Sequence, residues 1–315
     1  MSEPHQDTPE WEAAAATHRV DAPLPTGPAQ RHRRSTRDGT TAVARPDGEA
    51  PLLEVHDVSL RFGGVVALDH VSFALQHGEI FGLIGPNGAG KTTCFNAMTG
   101  IYRPTSGFIS FRGQPLTKLK KHSITRLGIA RTFQNIRLFP EMTALENVMV
   151  GADAHHRTSV PGALLRLPRH WREERRGREK SMELLRFVGI ADRAAEVARN
   201  LSYGQQRRLE IARALATEPA LLCLDEPAAG LNPRESAELN ELLLSVRQDH
   251  ATSILLIEHD MSVVMQISDH VVVLEYGRKI SDGSPQSVRT DPRVIAAYLG
   301  VEDEEVEKVE AEVGL

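Results

Sequence analysis

The run Gly85-Pro86-Asn87-Gly88-Ala89-Gly90-Lys91-Thr92 has the residue types and spacing of a phosphate cradle, G-x-x-x-x-G-K-[ST]. Glycines let successive backbone N–H groups close on a phosphate oxygen without a Cβ in the way. A helix opening directly behind them adds the partial positive charge of its N-terminus. Lys91 would supply a full charge to β- and γ-phosphates, Thr92 a hydroxyl for Mg²⁺, and Thr93 a hydrogen bond to an α-phosphate oxygen. The bland alternative is a Gly-rich strand-to-helix turn that binds nothing. The complete set of fixed positions, in the right flanking context, weighs against it.

A second cluster is acidic. Leu221-Leu222-Cys223-Leu224 runs straight into Asp225-Glu226-Pro227. Two adjacent carboxylates at the end of a buried strand are costly unless something positive stands beside them. Mg²⁺ and Lys91 are the obvious partners, with Asp225 holding the ion and Glu226 orienting and deprotonating a water. The alternative is a strand that simply ends in polar residues at a solvent rim. A third segment, Leu201-Ser202-Tyr203-Gly204-Gln205-Gln206, precedes an apolar helical face at Leu209, Ile211, Ala212 and Leu215. Ser202 with Gln205 reads as a helix capping box. The same capped helix start beside a glycine also makes an anion site, with Ser202 and the Gly204 N–H facing a phosphate.

With these segments together, the sequence resembles the ABC-transporter nucleotide-binding domain, whose signature is L-S-x-G-Q. In that family the signature, here Ser202, Tyr203, Gly204 and Gln205, contacts the γ-phosphate of ATP held by an opposite subunit. Two domains thereby sandwich two nucleotides. The resemblance implies further roles. Gln134, in Arg131-Thr132-Phe133-Gln134, corresponds to the glutamine that reaches Mg²⁺ and the attacking water and senses the membrane partner. His259, in Leu255-Leu256-Ile257-Glu258-His259-Asp260, corresponds to the switch histidine at the γ-phosphate. Phe62, in Arg61-Phe62-Gly63, corresponds to the aromatic that stacks on adenine, although a core phenylalanine would read the same way. Asn232 stands where the family usually has Asp, and with Pro233 and Glu235 it also reads as a helix N-cap. The wording of residues 201–211, 225–233 and 131–134, and the closing Ala296-Ala297-Tyr298-Leu299-Gly300, is similar to the ATP-binding subunit of branched-chain amino-acid importers.

The elements that must carry these residues are legible as patterns. Leu53–Phe62 and Val71–Gln76 alternate apolar and polar residues as half-buried strands do. Ile80–Ile84 is a short apolar run before the glycine loop, and a helix follows to about Met98. Gly107–Phe111 and Ile129–Phe133 suggest strands, and residues 143–200 read as mainly helical. Helix 205–217, strand 220–225, helix 234–248, strand 253–257, helix 261–268 and strand 270–275 follow. This β–α alternation predicts a parallel sheet with helices on its faces. The early strands predict an antiparallel flank. The fold expected is α/β, a P-loop NTPase of ABC ATPase type, with an antiparallel β flank and a helical insert subdomain at about 143–205. No internal repeat is present.

Composition sets the frame. The 315 residues are 41% hydrophobic and 25% charged, an ordinary globular balance. A net charge of -5 excludes a globally basic nucleic-acid binder. The acidity belongs to the ends, and residues 51–300 carry +3. Residues 1–50 hold six of the 18 prolines and few large apolar residues, so residues 1–51 read as a disordered extension, with an Arg cluster at Arg31–Arg37. Residues 301–315 read as an acidic tail, leaving 52–300 as the ATP-binding domain. No apolar run is long enough to span a membrane, no secretory signal is visible, and two cysteines make no disulfide framework. Residues 155–180 are basic, with Trp171, His155, His156 and His170, and read as a solvated helical face without a metal-ligand pattern.

The expectation is an ATP- and Mg²⁺-dependent ATPase subunit at the cytoplasmic face of a membrane. It would be held there by transmembrane permease subunits, pair with a second ATP-binding subunit, and work with a periplasmic or extracellular solute-binding protein. Branched-chain or other hydrophobic amino acids are the expected cargo, with urea or amide importers as the nearer alternative. A soluble ABC ATPase acting on nucleic acid is the rival, disfavoured by the single P-loop and the lack of a heptad insert.

Overall fold

The computed structural model describes residues 50–116, 119, 121–153, 168–259 and 261–299. The N-terminal extension to residue 49 and the acidic tail lie outside the described residues, as do 154–167. The chain opens on two antiparallel strands, β1 (Leu53–Phe62) and β2 (Val65–Leu75). With β4 (Ser106–Phe111) and β5 (Gln114–Pro115) they form a four-stranded antiparallel sheet in the order β2-β1-β4-β5. A second sheet has six strands in the order β10-β9-β3-β8-β7-β6. Its strands are β3 (Ile80–Ile84), β6 (Ile129–Arg131), β7 (Leu221–Asp225), β8 (Ser253–Ile257), β9 (His270–Glu275) and β10 (Arg278–Gly283). All its pairs are parallel except β9 with β10.

The central strands are apolar throughout because both faces are covered. Ile80 and Ile84, Leu222 and Leu224, Ile254 and Leu256, and Val271 and Val273 point into one core. Their neighbours Phe81 and Leu83, Leu221 and Cys223, Leu255 and Ile257, and Val272 and Leu274 point into the other. The first core is covered by α3 (Ala144–Ala152), α4 (Pro168–Phe187), α5 (Tyr203–Leu215), α6 (Pro233–His250) and α7 (Met261–Ile267), and Val288 and Val294 enter it from further along the chain. The second is closed by α1 (Lys91–Met98) and the antiparallel sheet. Cys94 and Cys223 lie in this second core, where burial pushes both thiols up to about 12, so they pack as small apolar side chains.

Helix starts follow local chemistry. Thr143, Ser202 and Asn232 each cap a helix reciprocally with the residue three places on, Glu146, Gln205 and Glu235. Strand β2 begins six residues earlier than its alternation suggested, because Val65 and Val66 remain exposed where the hairpin turns. Four further short elements were not expected from the sequence. These are α2 (Lys121–Arg126), β5, α8 (Pro285–Arg289) and α9 (Pro292–Leu299). Strand β10 was also unexpected: it is an edge strand without buried residues, so neither face shows an apolar rhythm. Among the described residues, no helix is long and apolar enough to cross a membrane.

Candidate functional site

The glycine loop leaves the C-terminal end of β3 and enters α1, and its backbone demands glycine at three places. Gly85, Gly88 and Gly90 have φ of 149°, 81° and 97°. A Cβ on Gly85 would lie 2.1 Å from the Leu274 carbonyl oxygen, and one on Gly90 would lie 2.8 Å from Ala67 O. At Gly88 the same direction is open, with nothing within 4 Å. The loop is tethered from the side. Gly277, in the β9–β10 turn, donates from its amide to Ala89 O (3.0 Å), and its carbonyl accepts from Asp69 N (2.9 Å) in β2. Asn87 and Thr92 are exposed, Thr93 is half-buried, and Pro86 and Ala89 line the turn. Lys91 is buried, and its Nζ donates to the carbonyls of Gly85 (2.6 Å) and Pro86 (2.8 Å). Burial lowers its pKa, and the carboxylates of Glu226 and Asp225 oppose that shift.

Three neighbouring strands of the same sheet deliver the remaining polar groups at their C-terminal ends, where open α/β sheets bind ligands. Asp225 ends β7 and is buried. Burial raises its pKa, and Arg131, at the end of β6, lowers it from 3.5 Å away. Glu226 follows with φ of 46°, a left-handed conformation for a non-glycine residue, secured by its amide donating to Ile257 O (2.9 Å). Gln134 reaches across from beyond β6 and donates from Nε2 to Glu226 Oε2 (3.0 Å). His259, past the end of β8, stands with Nδ1 at 3.8 Å from the same oxygen. Glu226, Gln134 and His259 therefore converge, with Asp225 and Lys91 beside them.

Other expected residues lie apart from this cluster. Ser202 is the N-cap of α5, with Gln205 N donating to its Oγ at 3.4 Å, and Tyr203 is exposed. A Cβ on Gly204 would lie 3.0 Å from Glu235 Oε1 of α6. Ser202, Gly204 and Gln205 line a cavity of about 300 Å³ shared with Arg208, Leu231 and Glu238. Asn232 caps α6, its Oδ1 accepting from Glu235 N at 3.0 Å. Phe62 is 43% exposed, which excludes the core reading, and its ring meets Tyr102 edge-on at 5.0 Å. The side chains of His155, His156, His170 and Trp171 lie outside the described residues. Among those described, no cluster of His, Cys, Asp or Glu is arranged to hold a metal on its own.

Two site residues had no sequence signal. Arg131 donates from Nη1 to Asn96 Oδ1 (2.7 Å) and Thr99 Oγ1 (2.9 Å) and lies 4.3 Å over the Phe95 ring, which aims its other nitrogen at Asp225. Glu258 is buried, its pKa raised by desolvation, and its Oε1 accepts from Ala228 N (2.9 Å), pinning the loop after Glu226. A strand-end Arg and a Glu beside a His look like ordinary rim residues in one dimension.

The oxygen donors suit a hard divalent cation: the Thr92 hydroxyl, the Asp225 carboxylate and the Gln134 amide oxygen. The burial of Asp225 raises its pKa despite Arg131 3.5 Å away, so an added positive charge is favourable there.

Comparison with known proteins decides the family. The ABC transporter family model matches residues 68–229, and a model for the branched-chain amino acid ATP-binding cassette transporter matches residues 278–304. The chain belongs to the ABC transporter family. ATP hydrolysis of the ABC type is the activity of this family and fold. The chain is 48% identical to the high-affinity branched-chain amino acid transport ATP-binding protein BraF of Pseudomonas aeruginosa, over 79% of this chain and 98% of that protein. The corresponding LivG protein of Escherichia coli K12 is also 48% identical, with the same coverage. A nucleotide-free ATP-binding cassette from an ABC transporter superposes with a TM-score of 0.69 at 31% identity, covering 79% of this chain and 99% of that one. Another ABC cassette, in its ADP conformation, gives 0.70 at 31% identity, covering 80% and 100%.

Proposed function

We propose that this chain is the ATP-hydrolysing subunit of an ABC importer for branched-chain or related hydrophobic amino acids. The observation that carries the catalytic half is the convergence on Glu226 Oε2, with Gln134 Nε2 at 3.0 Å and His259 Nδ1 at 3.8 Å, beside the glycine loop. Residues 85–93 bind the triphosphate of ATP, and Phe62 stacks on adenine. Glu226 takes the proton of the attacking water, Gln134 orients that water, and His259 contacts the γ-phosphate. Thr92, Asp225 and Gln134 would hold Mg²⁺, which when bound neutralises phosphate charge. Ser202, Tyr203, Gly204 and Gln205 face the ATP of a second subunit, and Asn232 lies at that seam.

The functional domain is residues 52–300, with a helical insert at about 143–205, flanked by the extension 1–51 and the acidic tail 301–315. It works on the cytoplasmic side of a membrane, bound to permease subunits that receive solute from a binding protein. The amino-acid assignment is supported by the 48% identity to the BraF and LivG transport proteins.

The catalytic assignment is tested with Glu226→Gln. This variant keeps ATP affinity, while phosphate release falls by about 10² or more, the usual weight of a general base. Turnover close to that of the unmodified protein would refute the role. The cargo is tested by reconstituting the chain with its permeases in vesicles and adding binding protein with a solute panel. Leucine, isoleucine or valine should stimulate ATP hydrolysis; stimulation by urea or amides alone would move the assignment to that class.

A further inference from the structure

Arg207 is among the largest fully buried side chains, and no role described above uses it. It lies in α5, one turn beyond Tyr203, and pairs with Glu210 on the same helix. Nη1 donates to Glu210 Oε2 at 2.8 Å, and both side chains are about 1% exposed. A buried ion pair is weak evidence for stability, because desolvating both charges rivals their attraction. The remaining contacts show what the pair holds. Nη1 donates to Phe133 O and Nη2 to Gln134 O, each at 3.1 Å. Nη2 also donates to the Tyr203 hydroxyl at 3.3 Å. Glu210 Oε1 accepts from Arg137 N at 3.4 Å. One ion pair on α5 thus grips both ends of the 133–137 loop, by two carbonyls at one end and an amide at the other. Tyr203 carries the contact onward, since a Cβ on Gly230 would sit 3.3 Å from its ring. Gly230 has φ of 80° and lies in the turn that leads to Asn232.

We propose that Arg207 and Glu210 are positioning residues for ATP hydrolysis. They fix the backbone that presents Gln134 to the helix that presents Ser202–Gln205, so that the glutamine stands against Glu226. Arg207 acts through Gln134 and touches neither nucleotide nor water. The planar guanidinium suits this because it serves two adjacent carbonyls, a hydroxyl and a carboxylate at once, which an ammonium cannot do. Displacing the loop from α5 would leave the buried guanidinium without its two carbonyl acceptors, so the loop and the helix start keep one relative position.

This inference rests on the catalytic reading above, and the test separates the two. Full-length Arg207→Lys keeps a cation opposite Glu210 and loses the fork. Its kcat for MgATP hydrolysis should fall about tenfold or more while KM stays within about twofold, as expected when a catalytic group is misplaced but binding is intact. Hydrogen exchange of the 132–137 segment should rise, while that of residues 91–98 should not change. The double variant Arg207→Met with Glu210→Leu leaves no unpaired buried charge, so it should fold and show the same loss of kcat. A folded variant of either kind with kcat within about twofold of the unmodified protein would overturn the proposal. So would a rise in KM alone, or unfolding of both variants, which would reduce the pair to a structural role. Glu226→Gln is measured alongside. If it still hydrolyses ATP, the catalytic reading is what fails. If it is inactive while Arg207→Lys turns over normally, only the clamp fails.

Discussion

Lys91 is the clearest case of a single side chain set up by its surroundings. It is buried, so its ammonium is desolvated, and its Nζ is held by two carbonyls of its own loop. Neither carbonyl carries a full charge, whereas a phosphate oxygen would. A phosphate therefore offers the ammonium a stronger, charge-assisted partner. Lys91→Ala should weaken ATP binding by about 1.5 to 3 kcal/mol, roughly ten- to a hundredfold, the range for hydrogen bonds to charged groups. An equilibrium ATP titration checks this, and unchanged affinity would remove Lys91 from the binding site. Glu226 shows the complementary device. Its backbone takes a left-handed φ of 46°, and the hydrogen bond its N–H donates to Ile257 O compensates by fixing where the carboxylate leaves the strand end.

At the scale of elements, the end of the sheet opposite the glycine loop carries its own charge cluster. His270 begins β9, with Nε2 at 2.5 Å from Asp282 Oδ1 of β10 and Nδ1 at 3.3 Å from Glu79 Oε1 beside β3. Burial lowers its pKa, but the hydrogen bonds to Asp282 and Glu79 outweigh that and raise it to about 9. The folded value lies above the unfolded 6.5, so the protonated form contributes stability that is complete below about pH 6.5 and is lost as pH rises through about 9. Between pH 7 and pH 10 this one group should cost about 2 to 3 kcal/mol of unfolding free energy. Denaturant titrations across that range should show the decline, and His270→Gln should flatten it. A decline of equal size in the variant would assign the effect elsewhere.

Across the whole molecule, the helices that cover the first core also pack closely on one another. Helices α3 and α5 touch where Gly151 leaves room, and a Cβ there would lie 2.2 Å from Arg213 O, a backbone atom that cannot turn aside. Gly151→Ala should destabilise the protein by about 1 to 3 kcal/mol through overpacking, read as a lower thermal midpoint. An unchanged midpoint would mean the helices separate at no cost. The same helix, α5, carries the Arg207 contacts to the loop after β6, so core packing and the proposed positioning of Gln134 share one element.

Some of this could be read in one dimension. The glycine loop, the acidic pair at the end of β7 and the caps at Ser202 and Asn232 depend on residues within a few positions of each other, and local chemistry decides them. The strands β1, β3 and β8 matched their predicted bounds because burial of one or both faces writes a pattern into each. Strand β10 was invisible because an edge strand without buried residues leaves no such pattern. Tertiary structure alone decided the long-range meetings. Gln134 and Glu226 are 92 residues apart, Arg131 and Asp225 are 94, and Arg207 and Phe133 are 74. Parallel neighbours in a sheet bring their C-terminal ends to one edge whatever the length of the crossover between them. That ordering of strands, rather than any property of the residues, makes a glutamine, a glutamate and a histidine one site.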